Sequence, residues 1–328
     1  MRETLEKYQV GCYLAAILLG IALGARWEVL HAWEAALWPL LGALLYATFT
    51  QVPLLHISQA LNDRRFLGAM IAGNFVVMPL VVWGVVTLFA LETSLMLGVL
   101  LVLLVPCTDW FISFTHLGQG DSARAIAATP VLLLLQIMLL PLYVTLMMGE
   151  QLVATQLFSE LLPAFAGLIV TPLLLAWLTE KGAERYAVLK RGVSIMGWLP
   201  VPLLTAVVFL IAASQVHVIM ETRQTLWQVA AIFVLYLLAA AVVARVLGRL
   251  LKLPVKSGRT LAFSLGTRNS FVVLPLAMAL PDVWATAVVV IVMQSLIELL
   301  GMVVYLAWVP RLIKLQPTRQ PSDVAPRR

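Results

Sequence analysis

The chain has 328 residues, of which 62% are hydrophobic and 12% are charged, and its mean hydropathy is +0.98. A soluble globular domain has about 25% charged residues, so this composition excludes a water-facing surface over most of the chain. The formal net charge is +6. The basic residues lie in short loops between apolar runs, which predicts membrane orientation and not binding to nucleic acid.

The apolar runs are about 20 residues long, the length that a helix needs to cross a hydrocarbon core about 30 Å thick. We therefore predict an all-α integral membrane protein with about ten transmembrane helices. In chain order, we expect them at about 9–27, 33–55, 66–89, 94–118, 122–148, 157–179, 192–214, 225–250, 259–280 and 283–310.

The two ends of the chain need separate interpretation. The first run could be a signal peptide, because Ala22-Leu23-Gly24 resembles a cleavage site. Tyr8 and Trp27 bracket that run as interface anchors do, which favours a transmembrane helix. At the other end, residues 311–328 are rich in proline and charge, and this predicts a disordered cytoplasmic tail.

Lys and Arg residues are distributed very unequally between the two sides of the predicted bundle. Of the 22, only Arg26 and Arg223 fall on one side, while Arg268 lies inside a helix and the rest fall on the other side. The positive-inside rule then predicts that both termini are cytoplasmic. We expect the chain to lie in the inner (plasma) membrane of the cell. Five helices in each half, 1–148 and 149–310, would give the halves opposite orientations, the inverted repeat common in secondary transporters.

The fourth predicted helix of each half is interrupted by polar residues. Residues 105–109 read Val-Pro-Cys-Thr-Asp, and residues 266–270 read Gly-Thr-Arg-Asn-Ser. Proline removes a backbone donor and glycine permits unwinding, so each segment can open its helix, and in lipid the freed backbone groups must line a cavity. Other mid-helix prolines lack such polar neighbours and indicate ordinary kinks. We predict that helices 4 and 9 are broken, that they cross, and that Cys107, Thr108, Asn269 and Ser270 bind a substrate there.

Three ionisable residues lie deep within the predicted helices, where a charge is costly and normally has a partner. Asp109 and Arg268 occupy the two breaks, so we expect them to interact. The pair could be a static structural contact, or protonation of Asp109 could weaken it and couple substrate release to proton movement. Glu298 lies one turn after Gln294 on the same helix face and is a candidate proton carrier or solute ligand.

Cys107 is the only thiol at a break. A buried cysteine usually acts as a small hydrophobic residue, which is our interpretation of Cys12. At an unwound position a thiol is a soft ligand that favours thiophilic solutes. Two cysteines inside apolar runs exclude a disulfide framework. The chain has no P-loop and no zinc-protease motif, so we expect neither an enzyme, a cofactor nor a bound metal.

The two interruptions resemble the bile acid/arsenite/riboflavin transporter superfamily. The segment Pro106-Cys107-Thr108-Asp109, with the loop at 117–121, resembles both main branches. The segment 266–270 is similar to the Gly-x-Gln-Asn-Ser of the bile acid:sodium symporter branch. The resemblance implies ten helices in two inverted five-helix repeats, with crossed and broken helices 4 and 9.

The Arsenical Resistance-3 branch, which consists of arsenite permeases, has a helix-4 cysteine followed fourteen residues later by an aspartate. Cys107 and Asp121 keep that spacing, and Ile297-Glu298 resembles an acidic pair of its helix 10. The chain departs from this branch at Val272, where the helix-9 acid is missing, and at Thr108-Asp109-Trp110, which replaces apolar residues. These differences indicate a divergent subgroup.

The sodium branch holds two sodium ions with residues of helices 4 and 9. The corresponding positions in this chain are Phe111, Ile112, Ser264 and Arg268. The resemblance therefore implies that the sodium ligands are largely absent. A fixed guanidinium at such a position would repel a cation, which disfavours coupling to sodium.

The leading hypothesis is efflux of arsenite or antimonite in exchange for protons, with Cys107 as the soft ligand and Glu298 or Asp109 carrying the proton. The alternative is a transporter of small organic anions, with or without sodium coupling, in which Arg268 holds a carboxylate and Cys107 only packs. A receptor or sensor that transports nothing is a third class, disfavoured because no output domain is predicted. The expected partners are a small solute, protons and the lipid bilayer.

Overall fold

The computed structural model describes residues 2–26, 36–56, 63–108, 110–149, 163 and 166–314. Nearly all of these residues are helical, and no strand is present within the described ranges. An isolated antiparallel β-bridge joins Pro106 to Arg268. The predicted all-α class is therefore confirmed, and the one extended contact falls at the two predicted interruptions.

The described part of the chain forms thirteen helices, some of which are two pieces of one predicted span. Helix α3 contains a π-helical segment, Gly73–Val77, and a second π-helical segment, Ala166–Val170, precedes α7. The helices are α1 (Arg2–Gly24), α2 (Leu37–Phe49), α3 (Arg64–Phe89), α4 (Thr93–Leu103), α5 (Trp110–Leu117), α6 (Ser122–Met148), α7 (Thr171–Ala183), α8 (Ala187–Met196), α9 (Pro200–Ser214), α10 (Val216–Leu250), α11 (Val255–Gly266), α12 (Ser270–Met278) and α13 (Ala285–Leu312).

Four of the described helices are long and apolar enough to cross a membrane: α3, α6, the 225–250 part of α10, and α13. Helices α8 and α9 are bent by 45° at a short break and could together form a fifth span. Large apolar side chains such as Leu18, Leu88 and Met138 are exposed on the outer surface, as lipid contact requires. The chain is a multi-pass membrane protein, whereas the count of ten helices and the inverted halves stay predictions.

The predicted breaks in helices 4 and 9 are present: the spans 94–118 and 259–280 are each two helices, α4 with α5 and α11 with α12, because the polar segments end the first helix of each pair. Other helix boundaries differ from the expected ones. Helix α10 begins at Val216, nine residues before the predicted start. The prediction followed hydropathy, and the segment 216–224 ends in four polar residues, Glu221 to Gln224, but is still helical. The first part of the predicted helix 157–179, up to residue 165 and except for residue 163, lies outside the described residues. The predicted tail from residue 315 also lies outside them.

The interior is formed where α4 and the two pieces of the second broken span pack against α13 and α10. Helix α4 approaches α13 closely at Gly98, where a Cβ atom would lie 2.9 Å from the Cα atom of Ala287 and 2.8 Å from the Cβ atom of Val290. Helix α11 lies between α10 and α13 and also contacts α5. This packing holds the ends of α4 and α11 at the same place in the interior.

Candidate functional site

The two helix breaks lie side by side and pair through the isolated antiparallel β-bridge. The backbone N–H of Cys107 donates to the carbonyl of Thr267 at 3.1 Å, and the N–H of Asn269 donates to the carbonyl of Val105 at 2.8 Å. Pro106 and Arg268 are thus opposite each other as a non-hydrogen-bonded pair, a position where the missing N–H of a proline costs nothing. Each break supplies one donor and one acceptor to the other, which satisfies backbone groups that unwinding frees.

The substrate-binding residues expected from the sequence meet at this crossing. Cys107 is 4% exposed, and Thr108, Asn269 and Ser270 are also buried. The side-chain amide of Asn269 donates to Thr108 Oγ1 at 3.1 Å, while its carbonyl oxygen accepts the N–H of Val272 and caps α12. Asn269 therefore both starts α12 and ties it to the first break.

Arg268 is buried at the crossing, with 2% of its surface exposed. Its Nη2 atom donates to Asn74 Oδ1 at 2.8 Å and to the carbonyls of Ser264 at 3.1 Å and Leu265 at 2.8 Å, and its Nη1 atom donates to the carbonyl of Leu103 at 3.4 Å. Leu103 ends α4 and Leu265 lies at the end of α11, where helix dipoles favour a cation. The guanidinium also lies 5.2 Å from the ring centroid of Tyr236.

Asn74 is a site residue that the sequence reasoning missed. It lies in the π-helical segment of α3, and its side-chain nitrogen donates to Ser264 Oγ at 3.0 Å and to the carbonyl of Met70 at 3.1 Å. π-helical turns are frequent at functional sites because they turn a side chain out of the regular helical register. A lone asparagine inside an otherwise apolar run, Ile71 to Val77, was the available signal.

Glu298 on α13 is 2% exposed and contacts the second break. Its Oε2 atom accepts the backbone N–H of Arg268 at 2.7 Å and the side-chain N–H of Gln294 at 2.6 Å. Gln294 in turn accepts the hydroxyl of Ser270 at 2.6 Å. A continuous chain of hydrogen bonds thus joins the carboxylate to the start of α12, and the carboxylate binds the backbone of Arg268, not its guanidinium.

The predicted contact between Asp109 and Arg268 cannot be placed, since Asp109 lies outside the described residues, and it stays a prediction. Asp121 serves another purpose: its Oδ1 atom caps α6 by accepting the N–H of Arg124 at 3.1 Å, and its own N–H donates to Thr260 of α11. Cys12 is exposed on α1, so the interpretation of it as a buried residue is wrong. Within the described ranges, no three His, Cys, Asp or Glu residues converge as a metal site would require.

One family of known proteins matches the chain. The family described as the Sodium Bile acid symporter family matches residues 38–222, more than half of the chain. The matched range contains Asn74 and the first break, whereas Arg268 and Glu298 lie beyond it. No curated protein matches the chain.

Proposed function

Because the chain belongs to the sodium bile acid symporter family, and is therefore a secondary transporter of that type, we propose that its solute binds where the two helix breaks cross. Secondary transporters commonly bind their solutes between discontinuous helices in corresponding positions of two halves. The buried polar residues around Cys107 and Asn269 supply donors and acceptors at this place. The crossing is thus the best-supported site for a small solute.

We propose, as the leading substrate class, arsenite or antimonite exported from the cytoplasm. The observation that carries this proposal is a buried thiol, Cys107, at the crossing, in the same break as Thr108, whose hydroxyl is bonded to the amide of Asn269 in the other break. Trivalent arsenic is thiophilic, and arsenite is an uncharged trihydroxide at neutral pH, so a soft ligand with neutral hydrogen-bonding neighbours suits it. A single thiol binds weakly and reversibly, as a carrier requires.

Protons are the proposed coupling ion, with Glu298 as the carrier. Its carboxylate accepts the N–H of Arg268 in the second break and connects through Gln294 to Ser270. Protonation would replace an acceptor with a donor at this point and would therefore change the hydrogen bonds that hold the break. Asp109, the other candidate, stays a second possibility for the same role.

Cells that lack their own arsenite efflux provide the test. Expression of the wild-type chain should lower arsenite accumulation. Cys107→Ser should lower the efflux rate at least about tenfold, because a soft ligand is lost. Cys12→Ser is the matched control, since that thiol is exposed on α1. Equal export by Cys107→Ser and wild type would overturn the role of the thiol.

Small organic anions are the second candidate, favoured by the bile acid in the family's description. In this hypothesis Arg268 holds a carboxylate. Its two terminal nitrogens are already bonded to four oxygen atoms, and only its Nε atom is buried without a partner. A carboxylate would have to displace those bonds, which disfavours this role. Uptake of a radiolabelled bile acid that Arg268→Gln abolishes would support it nonetheless.

The orientation proposed for the chain has cytoplasmic termini in an inner (plasma) membrane and two inverted halves, 1–148 and 149–310. The reciprocal pairing of the breaks supports the halves, because each break makes the same contact with the other. Labelling with a membrane-impermeant maleimide tests the topology: Arg223→Cys should react from outside intact cells and Lys190→Cys should not. The reverse pattern would refute the orientation.

A further inference from the structure

A cavity of about 940 Å³ lies away from the crossing, where the C-terminal ends of α10 and α13 meet the start of α11. The described residues that line it include five cationic side chains and no carboxylate. We call it the basic cavity, after its cationic residues Arg245, Arg249, Lys252, Arg311 and Lys314.

The charges of the basic cavity are uncompensated. Within the described part of the chain, none of the five cationic side chains is in a hydrogen bond or ion pair, and the Nε atom of Arg245 is buried without a partner. Arg245 and Arg249 are one helical turn apart, a spacing at which like charges repel. The carboxyl ends of α10 and α13 offset only part of this charge. The cavity therefore attracts an anion.

The rest of the lining is apolar. Leu253, Leu312 and Trp308 contribute to the walls, and the neighbouring outer face of α10 exposes Val246 and Leu250 in the manner of a lipid-contacting surface. A tryptophan near the end of a membrane-spanning helix, as Trp308 is on α13, is typical of the membrane interface. The basic cavity thus combines a cationic end with a wall that continues into the lipid-facing surface, which matches an amphiphile better than a soluble anion.

One wall of the basic cavity is held in place by Arg259 of α11. Its Nε atom donates to the carbonyl of Ile313 at 3.1 Å, and its Nη2 atom donates to the carbonyl of Pro310 at 3.3 Å. These bonds fix the end of α13, which carries Arg311, and the residues just after it, which include Lys314. A preformed site loses little freedom when its ligand binds, so the arrangement favours affinity.

We propose that the basic cavity binds the phosphate headgroup of an anionic phospholipid. Clusters of basic residues between membrane helices commonly recognise such headgroups. The chain beyond Lys314 carries three arginines and one aspartate, so its own tail does not complement the charge. Helix α11 runs from the basic cavity to the second break, and a bound lipid would stabilise its first turn. The proposal does not depend on which solute the protein carries.

Lipid titrations of the purified protein in detergent test this proposal. Phosphatidylglycerol should bind the wild type more tightly than phosphatidylcholine, measured by native mass spectrometry, and should raise its Tm. Each basic residue near such a headgroup contributes about a fivefold gain in affinity, so Arg249→Gln/Arg311→Gln should weaken binding about 25-fold. The control variant Lys190→Gln/Arg191→Gln removes two exposed cations of α8 outside the cavity and should change the affinity for phosphatidylglycerol little.

Three outcomes would overturn the proposal. Equal binding of the two lipids by the wild type would refute anion recognition, and this comparison needs no variant that could misfold. Equal weakening of phosphatidylglycerol binding in the control variant would show that binding depends on net charge and not on the basic cavity. Inorganic phosphate that raises the Tm as much as phosphatidylglycerol would assign the cavity to a soluble anion and not to lipid.

Discussion

At the scale of single residues, the environment of Arg268 is the most informative one. Its guanidinium is bonded to four oxygen atoms from three helices: Asn74 on α3, Leu103 on α4, and Ser264 and Leu265 on α11. Unwound carbonyls and the C-terminal ends of half-helices are the groups that hold sodium in secondary transporters. We infer that the fixed positive charge of Arg268 takes the place of a coupling sodium ion.

Removal of this side chain should create a requirement for a small cation. Arg268→Ala leaves buried oxygen atoms such as Asn74 Oδ1 without the donor they have in the wild type, at a cost of about 1–3 kcal/mol for each unsatisfied group. We expect sodium chloride to raise the Tm of this variant relative to choline chloride, since an ion that binds only the folded state stabilises it. Wild type and Arg191→Ala should unfold at the same temperature in both salts. A variant that does not respond to sodium would contradict the inference.

Glu298 carries the second prediction at this scale. Glu298→Gln keeps an oxygen that can accept the N–H of Arg268 but can no longer gain or lose a proton. Solute exchange across the membrane at equal pH should persist, whereas transport driven by a pH gradient should fall to the rate without a gradient. Flux measured with and without a protonophore separates the two. The exposed Glu92→Gln is the control, and gradient-driven transport by Glu298→Gln would exclude this carboxylate as the carrier.

The sequence predicted part of this site and not the rest. Arg268, Glu298 and the thiol of Cys107 stand out because polar groups are rare in apolar runs, so their burial at membrane depth could be inferred. The residues that form hydrogen bonds with these groups could not be predicted from the sequence. Asn74 is 194 residues from Arg268 in the chain, and only the packing of α3 against α11 brings them together.

At the scale of helices, the interruptions decide the architecture. Proline and glycine next to polar residues allowed the breaks between α4 and α5 and between α11 and α12 to be predicted. The pairing of the breaks gives hydrogen-bond partners to backbone groups that lose their helical partners at the breaks. The early start of α10 and the π-helical segment of α3 were not predictable, because hydropathy reports on lipid contact and not on helix length or register.

Close contact between α4 and α13 supplies a test at this scale. A Cβ atom at Gly98 would meet the backbone of Ala287, so Gly98→Ala should push the two helices apart and destabilise the protein by about 1–3 kcal/mol. Gly84→Ala is the matched control: nothing lies within 4 Å of its added carbon, and alanine favours a helix by up to about 1 kcal/mol. Thermal unfolding should show a lower Tm for the first variant only. Equal shifts would mean that this contact is not close-packed.

At the scale of the whole molecule, composition alone predicted a helical membrane protein, and the helices and the family match confirm that class. The match also confirms the broad resemblance to the transporter superfamily, whereas its arsenite branch stays a proposal. Substrate choice could not be read from composition or hydropathy. In our proposal it depends on a few side chains at the crossing, and the family match ends before the second break.

The central claim is that the crossing carries a solute and that Cys107 is one of its ligands. Purified protein in liposomes with an imposed pH gradient tests it directly. We expect protein-dependent arsenite flux that a protonophore lowers to the rate without a gradient, that Cys12→Ser retains, and that Cys107→Ser reduces by at least about tenfold. Liposomes in which the wild type moves no arsenite, or in which Cys107→Ser moves it as fast as the wild type, would contradict the account.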